Sequence, residues 1–90
     1  EVPLEFELFQ NYPNPFNPTT IIDYTIARES FVQLRIYDLL GREIKTLVDQ
    51  RIPAGKHTVQ FEANELQSGV YVYRFNAAGF VESKKMILAK

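Results

Sequence analysis

The run Gln10-Asn11-Tyr12-Pro13-Asn14-Pro15-Phe16-Asn17-Pro18-Thr19-Thr20 interleaves three prolines with three asparagines, a pattern that neither a helix nor a central strand accepts. Proline fixes its own φ, lacks an N–H, and holds the preceding residue away from the α region. Tyr12, Asn14 and Asn17 are therefore restricted as well as the prolines. The expectation is an extended connector. With three residues per turn of a polyproline II helix, Asn11, Asn14 and Asn17 would share a polar edge, and Tyr12, Pro15 and Pro18 an edge that packs. Read from its residues alone, the run is a stiff linker into a folded domain.

Ninety residues, of which 46% are hydrophobic, suffice for one core and leave no room for a second, catalytic domain. A formal charge of -1 offers no general attraction to nucleic acid or anionic lipid. Without cysteine there is no disulfide framework and no thiolate ligand or nucleophile, and the compartment stays open. No apolar stretch approaches the ~20 residues that cross a bilayer. The start Glu1-Val2-Pro3-Leu4 has neither the features of a signal peptide nor an initiator methionine, so the chain reads as a piece of something longer. Acidic residues gather at the start (Glu1, Glu5, Glu7) and lysines at the end (Lys84, Lys85, Lys90), so the two ends attract each other weakly.

Period-two alternation then recurs along the chain. Leu4, Phe6 and Leu8 share one face of a first strand; Thr20, Ile22, Tyr24 and Ile26 share one of a second; Val32, Leu34 and Ile36 oppose Gln33, Arg35 and Tyr37 in a third. Asp38-Leu39-Leu40-Gly41-Arg42 has the composition of a hairpin loop, opened by an aspartate and closed through a left-handed glycine. Ile44–Val48 returns from it. Pro53-Ala54-Gly55 marks another turn, followed by Thr58–Glu62 with Val59 and Phe61 inward. Asn64–Gly69 is too short for a stable helix and lets Leu66 plug one end of the core. In the next strand Tyr71, Tyr73 and Phe75 face one way and Val70 and Val72 the other, as in a central strand. Ala77-Ala78-Gly79 turns the chain into a last strand, Phe80–Leu88. Seven short strands without helical periodicity predict an all-β fold, a seven-stranded immunoglobulin-like (fibronectin III-like) antiparallel β-sandwich, with a small closed barrel as the alternative. Residues 1–18 form the first strand and the Asn/Pro-rich segment, and residues 19–90 the remainder of the single domain.

Candidate chemistry is sparse. His57 is the only histidine and reads as a surface or loop residue, since a metal site or a nucleophile–base pair needs partners that are missing. Ser30, Ser68 and Ser83 lie outside any Gly-x-Ser-x-Gly elbow. The carboxylates are scattered and form no Asp-x-Asp-x-Asp-Gly loop, leaving open only a calcium site of loop carbonyls and one carboxylate. Arg74, Lys84 and Lys85 near Tyr71, Tyr73 and Phe80 imitate a single-strand nucleic-acid binder, which the near-neutral charge opposes. A row of exposed tyrosines would instead stack on sugar rings.

Four segments in order, Asn11-Tyr12-Pro13-Asn14-Pro15-Phe16-Asn17-Pro18, Tyr37-Asp38-Leu39-Leu40-Gly41-Arg42-Glu43, Gly69-Val70-Tyr71-Val72-Tyr73-Arg74 and Lys84-Lys85-Met86-Ile87-Leu88-Ala89-Lys90, span nearly the whole chain. Together they resemble the type A C-terminal sorting domain of the bacterial type IX (Por) secretion system, related to the immunoglobulin-like domain of flagellar hook-capping proteins. The resemblance implies a non-catalytic address tag without cofactor or metal. It would be covalently attached to an N-terminal cargo such as a hydrolase, exported across the outer membrane through the translocon, and removed by a sortase-like peptidase. It implies passage through the periplasm to the cell surface or medium, transient outer-membrane association, and no nucleic-acid or small-molecule partner. Carried over by motif, the candidate recognition residues are Lys84, Lys85, Lys90, Gly69, Tyr71, Tyr73 and Arg74, with Pro13, Asn14, Pro15 and Phe16 in the leading motif. A terminal strand with an open edge and flanking lysines would be read by strand addition. A structural or adhesive spacer and a carbohydrate-binding accessory domain are the competing roles, because fold does not decide function.

Overall fold

Among the described residues seven strands sort their alternating faces into two antiparallel sheets. A computed structural model describes residues 3–90, with β1 (Glu7–Leu8), β2 (Thr19–Ile26), β3 (Ser30–Tyr37), β4 (Glu43–Ile52), β5 (Gly55–Glu62), β6 (Gly69–Ala77) and β7 (Phe80–Leu88). The strand orders are β1-β2-β5 and β4-β3-β6-β7. Two separate sheets exclude the closed barrel. The fourth strand pairs with the third rather than joining the first sheet, unlike the ABED/CFG arrangement of constant-type immunoglobulin domains.

The core lies between the sheets. Ile22, Tyr24 and Ile26 from β2 meet Val32, Leu34 and Ile36 from β3 and Tyr73 and Phe75 from β6, all buried. Each side chain of this kind contributes about 1.5–3 kcal/mol when fully removed from water. The expected inward faces of β2, β3 and β6 are these faces, and β6 is central as its two apolar faces require. Leu66 packs against the core from the loop before β6.

Elsewhere the chain departs from the alternation. The first strand is only two residues long: Leu8 is buried and Phe6 half-buried, but Leu4 is exposed. Phe6 instead stacks on Phe80, with Arg28 over its ring. Ala77 belongs to β6, so the β6–β7 turn is Ala78-Gly79, both left-handed (φ 51° and 84°) as a type I′ hairpin demands. Glu1 lies outside the described residues, so its part in the expected attraction between the chain ends has no structural counterpart here.

The leading run is not a polyproline helix with one polar and one packing edge. Asn11, Phe16 and Thr20 are its buried residues, whereas Tyr12 and Pro15 are exposed; the Tyr12-Pro13, Asn14-Pro15 and Asn17-Pro18 bonds are cis. Internal hydrogen bonds and core contacts, rather than threefold periodicity, decide which side chains turn inward. The run begins on the first sheet, where Tyr12 and Ile21 exchange both backbone hydrogen bonds, and ends on the second, where Phe16 bridges in parallel to Leu88.

These registers give the sandwich two unlike poles along an axis of 41 Å. One carries the β2–β3, β4–β5 and β6–β7 turns together with the segment leading into β1, because Glu7 pairs with Thr25. The other carries the 38–42 hairpin, the 63–68 loop, Pro13–Pro18 and the end of β7, because Tyr37 pairs with Val72 and Val72 with Lys85.

Candidate functional site

The second pole gathers all four motif segments. Its centre is Tyr73, fully buried from β6. The Tyr73 hydroxyl donates to the Phe9 carbonyl (2.7 Å) and accepts the Asn11 N–H (2.8 Å). Burial pushes its pKa up to about 12, with the Asn11 N–H opposing and Glu82 assisting. Asn11 spreads the anchor: its Nδ2 donates to Thr20 Oγ1 (3.0 Å) and to the Pro13 carbonyl (3.2 Å), and the Thr20 hydroxyl donates to that same carbonyl (3.0 Å). A buried polar cluster satisfied in this way fixes one conformation of the loop around it.

Beyond Pro13 the run caps the last strand. Asn14 Oδ1 accepts the Ile87 N–H (2.9 Å), the Phe16 N–H donates to the Ile87 carbonyl (2.9 Å), and the Ala89 N–H donates to the Phe16 carbonyl (3.0 Å). Gln10 Nε2 donates to the Lys85 carbonyl (2.8 Å). Phe16 inserts into the core beside Phe61, and Met86 and Leu88 are buried from β7. The terminal strand therefore does not present an open edge along its final residues. By the strand's period of two, the edge that faces away from β6 without such a cap is the stretch at Val81 and Ser83.

The candidate recognition residues divide accordingly. Lys85 is exposed on the outer sheet face, opposite Val72. Lys84 points the other way, half-buried, and pairs with Glu82 at 3.3 Å. Lys90 folds back, its Nζ donating to the Asn64 carbonyl (2.6 Å) and its N–H to Ser68 Oγ (3.0 Å). Tyr71 is buried and its hydroxyl donates to the Gln67 carbonyl (2.7 Å), holding the turn at Gly69. Arg74 is exposed on the outer face. Pro13, Asn14 and Pro15 lie on the pole's surface, with Phe16 inside.

The 38–42 hairpin completes the pole. Asp38 Oδ1 accepts the Leu40 and Arg42 N–H groups (2.9 and 3.0 Å), and Oδ2 accepts from Arg42 Nε (2.7 Å). These bonds, the Arg42 N–H foremost, lower the Asp38 pKa against an opposing effect of desolvation. Gly41, at φ 84°, supplies the expected left-handed position. Leu39 and Leu40 stand exposed at the tip.

Other readings lose their geometry. Tyr71 and Tyr73 are inside the sandwich, so they form no platform for sugar rings. His57 is in β5 rather than a loop, half-buried and stacked on Tyr24 with ring centroids 5.5 Å apart. Its Nε2 lies 2.7 Å from the Pro53 carbonyl, a structural tie across the β4–β5 turn. Among the described residues no group of three metal-ligating side chains comes together.

Sequence reasoning missed Gln10, Asn11, Thr20 and Ser68 as parts of the pole, because Gln10, Asn11 and Ser68 act through partners distant in sequence and Thr20 acts through Asn11. A buried asparagine inside a proline run is the one local sign, and it reads equally as turn chemistry. A family model described as the secretion system C-terminal sorting domain matches residues 10–89. No curated protein matches the chain.

Proposed function

This chain belongs to the family of type IX secretion system C-terminal sorting domains, and from that membership we propose a division of labour between its two poles. As a sorting signal it marks a linked protein for export to the cell surface or the medium. The pole bearing the leading run, the hairpin and the chain's last residues is the address that the outer-membrane translocon reads. The opposite pole joins the N-terminal cargo, often a secreted hydrolase. The domain itself performs no chemistry. It travels with its cargo through the periplasm and is removed by a sortase-like peptidase after crossing.

The observation that supports this reading is the convergence of Asn14, Gly69, Lys85 and Lys90 on one pole, held by the β6–β7 pairing and by bonds across 22 and 73 residues. Lys85 and the Leu39-Leu40 tip supply exposed contacts there. Pro13, Asn14, Pro15, Gly69, Tyr71 and Tyr73 act by shaping that surface, and Phe16 by anchoring it.

The test is a reporter fused upstream of the chain in a type IX-competent bacterium. The intact chain is compared with a Lys85→Ser, Lys90→Ala double variant and a control, Lys56→Ser, near the opposite pole. Export of the intact and control fusions with retention of the double variant supports the reading. Equal export of all three, with the fold intact, would instead favour a passive spacer.

A further inference from the structure

The outer face of the four-stranded sheet carries two guanidinium groups that the pole does not employ. Arg35 of β3 and Arg74 of β6 are directly opposite in antiparallel register, which places their Cβ atoms roughly 5 Å apart. Like charges so placed repel and weaken a sheet. Compensation from the chain is slight. Glu43 Oε1 is 3.9 Å from Arg35 Nε, beyond hydrogen-bonding distance, and Glu43 Oε2 is occupied by the Thr46 hydroxyl at 2.8 Å. Arg35 Nε is buried without a hydrogen-bond partner, the only such side-chain atom among the described residues. Arg74 makes no ion pair among the described residues. Asp49, one row along and diagonal to Arg35, is engaged by the Gln33 amide at 3.4 Å.

Both arginines line a cavity of about 180 Å³, with the amides of Gln33 and Asn76 and the ring of Tyr37 around it. A groove of about 350 Å³ adjoins it, walled by Tyr37, Leu39 and Val72 with the Arg42-paired carboxylate of Asp38 at one side, and sharing Arg74. Lys85 lies one row along, diagonal to Arg74, and adds to the positive field. Two planar forks with free donors match a carboxylate better than a spherical ion. An apolar groove at their side fits a carboxylate carried by a chain with an apolar neighbour.

We propose that Arg35 and Arg74 form a carboxylate-binding site for an acidic side chain in an extended segment of a partner protein, whose neighbouring apolar side chain enters the Tyr37–Leu39–Val72 groove. Binding relieves the arginine repulsion by setting a carboxylate beside both guanidinium groups.

The experiment is an NMR titration of the arginine Nε–Hε signals of the 90-residue chain with acetyl-Leu-Glu-Leu-amide, its glutamine counterpart, and inorganic phosphate. Saturable shifts of both Arg35 and Arg74 with the glutamate peptide are expected, with no comparable response to the glutamine peptide. Arg74→Gln should weaken binding about tenfold, and Arg74→Lys, which keeps the charge but loses the fork, should weaken it several-fold. The amide spectrum of each variant reports that the fold survives. Absence of saturable shifts, or equal response to the two peptides, overturns the proposal. Phosphate binding at lower concentration than the glutamate peptide also overturns it, assigning the site to a phosphorylated group. The titration needs no translocon, so its outcome is independent of the export test.

Discussion

The Asn11 backbone N–H donates to the Tyr73 hydroxyl at 2.8 Å, across 62 residues of chain. Through it the middle of β6 positions a loop that begins on the other sheet. Tyr73→Phe leaves that N–H and the Phe9 carbonyl without their partner in a buried site. The expected loss is about 1–3 kcal/mol, measured by urea unfolding at neutral pH.

The same hydroxyl makes stability depend on alkaline pH. The folded-state pKa of Tyr73 is pushed up to about 12 from 10.0, so the folded state holds the proton more tightly than the unfolded one. Its contribution is complete below pH 10 and is lost as pH rises from 10 towards 12. Tyr24, raised by burial, acts in the same direction. Unfolding curves between pH 9 and 12 should fall less steeply for Tyr73→Phe than for the parent chain, with the Tyr24 slope remaining; equal slopes would contradict the assignment.

Asn14 and Phe16 hold the end of β7 in different ways, and their variants separate the two. Asn14→Ala removes one acceptor from an exposed N–H and should cost about 1 kcal/mol or less, yet speed hydrogen exchange at Ile87. Phe16→Ala empties a core site and should cost about 3–5 kcal/mol, lowering protection throughout the fold. Unchanged exchange at Ile87 in the asparagine variant would show that the side-chain cap is unimportant.

Asp38 contributes in the opposite pH range. Its lowered pKa means that the folded state favours the carboxylate, so its contribution is present above the unfolded value of 3.8 and lost as pH falls through the folded one. Asp38→Asn should be less stable than the parent at pH 7, and the gap should close on acidification below that value. Thermal unfolding from pH 6 to 2.5 provides the check.

Ala78 occupies a left-handed position at φ 51°, where an L-residue other than asparagine or aspartate costs roughly 1–2 kcal/mol. Ala78→Asn gives the β6–β7 turn the Asn-Gly pair that type I′ hairpins prefer. A gain of about 1 kcal/mol in chemical denaturation is expected, and a loss would mean that the turn adopts another geometry in solution.

Removing Lys85–Lys90 to test the address would remove the fold with it. Met86 and Leu88 are 0% and 1% exposed, and losing either side chain costs about 2–5 kcal/mol, against a typical total of about 5–15 kcal/mol for a domain. The truncated chain should show no cooperative melt, whereas Lys85→Ser, Lys90→Ala should melt within a few degrees of the parent. Point variants alone therefore separate recognition from folding.

The strands were legible wherever burial falls on one face. Ile22, Tyr24 and Ile26, or Val32, Leu34 and Ile36, announce their inward face because the pleat repeats every second residue. Leu4 obeys the same alternation and is nonetheless exposed, since a strand also needs a partner along its length, and β2 pairs with only two residues of β1. Asp38 and Gly41 revealed their hairpin because turn chemistry is local. The cap on β7 and the Arg35–Arg74 pair were invisible, since each depends on a register between segments far apart in sequence. Adjacent in the expected strand, Lys84 and Lys85 had to point to opposite faces; the burial of Met86 and Leu88 decides that Lys85 is the outward one.

The cap of β7 joins Asn14 to Ile87 across 73 residues, which makes the order of synthesis matter. Contacts of that separation close late, because a long loop must be ordered before they form. The pole consequently forms only once β7 has been made, and a product cut short before Ile87 would carry most of the sandwich's sequence without the finished pole.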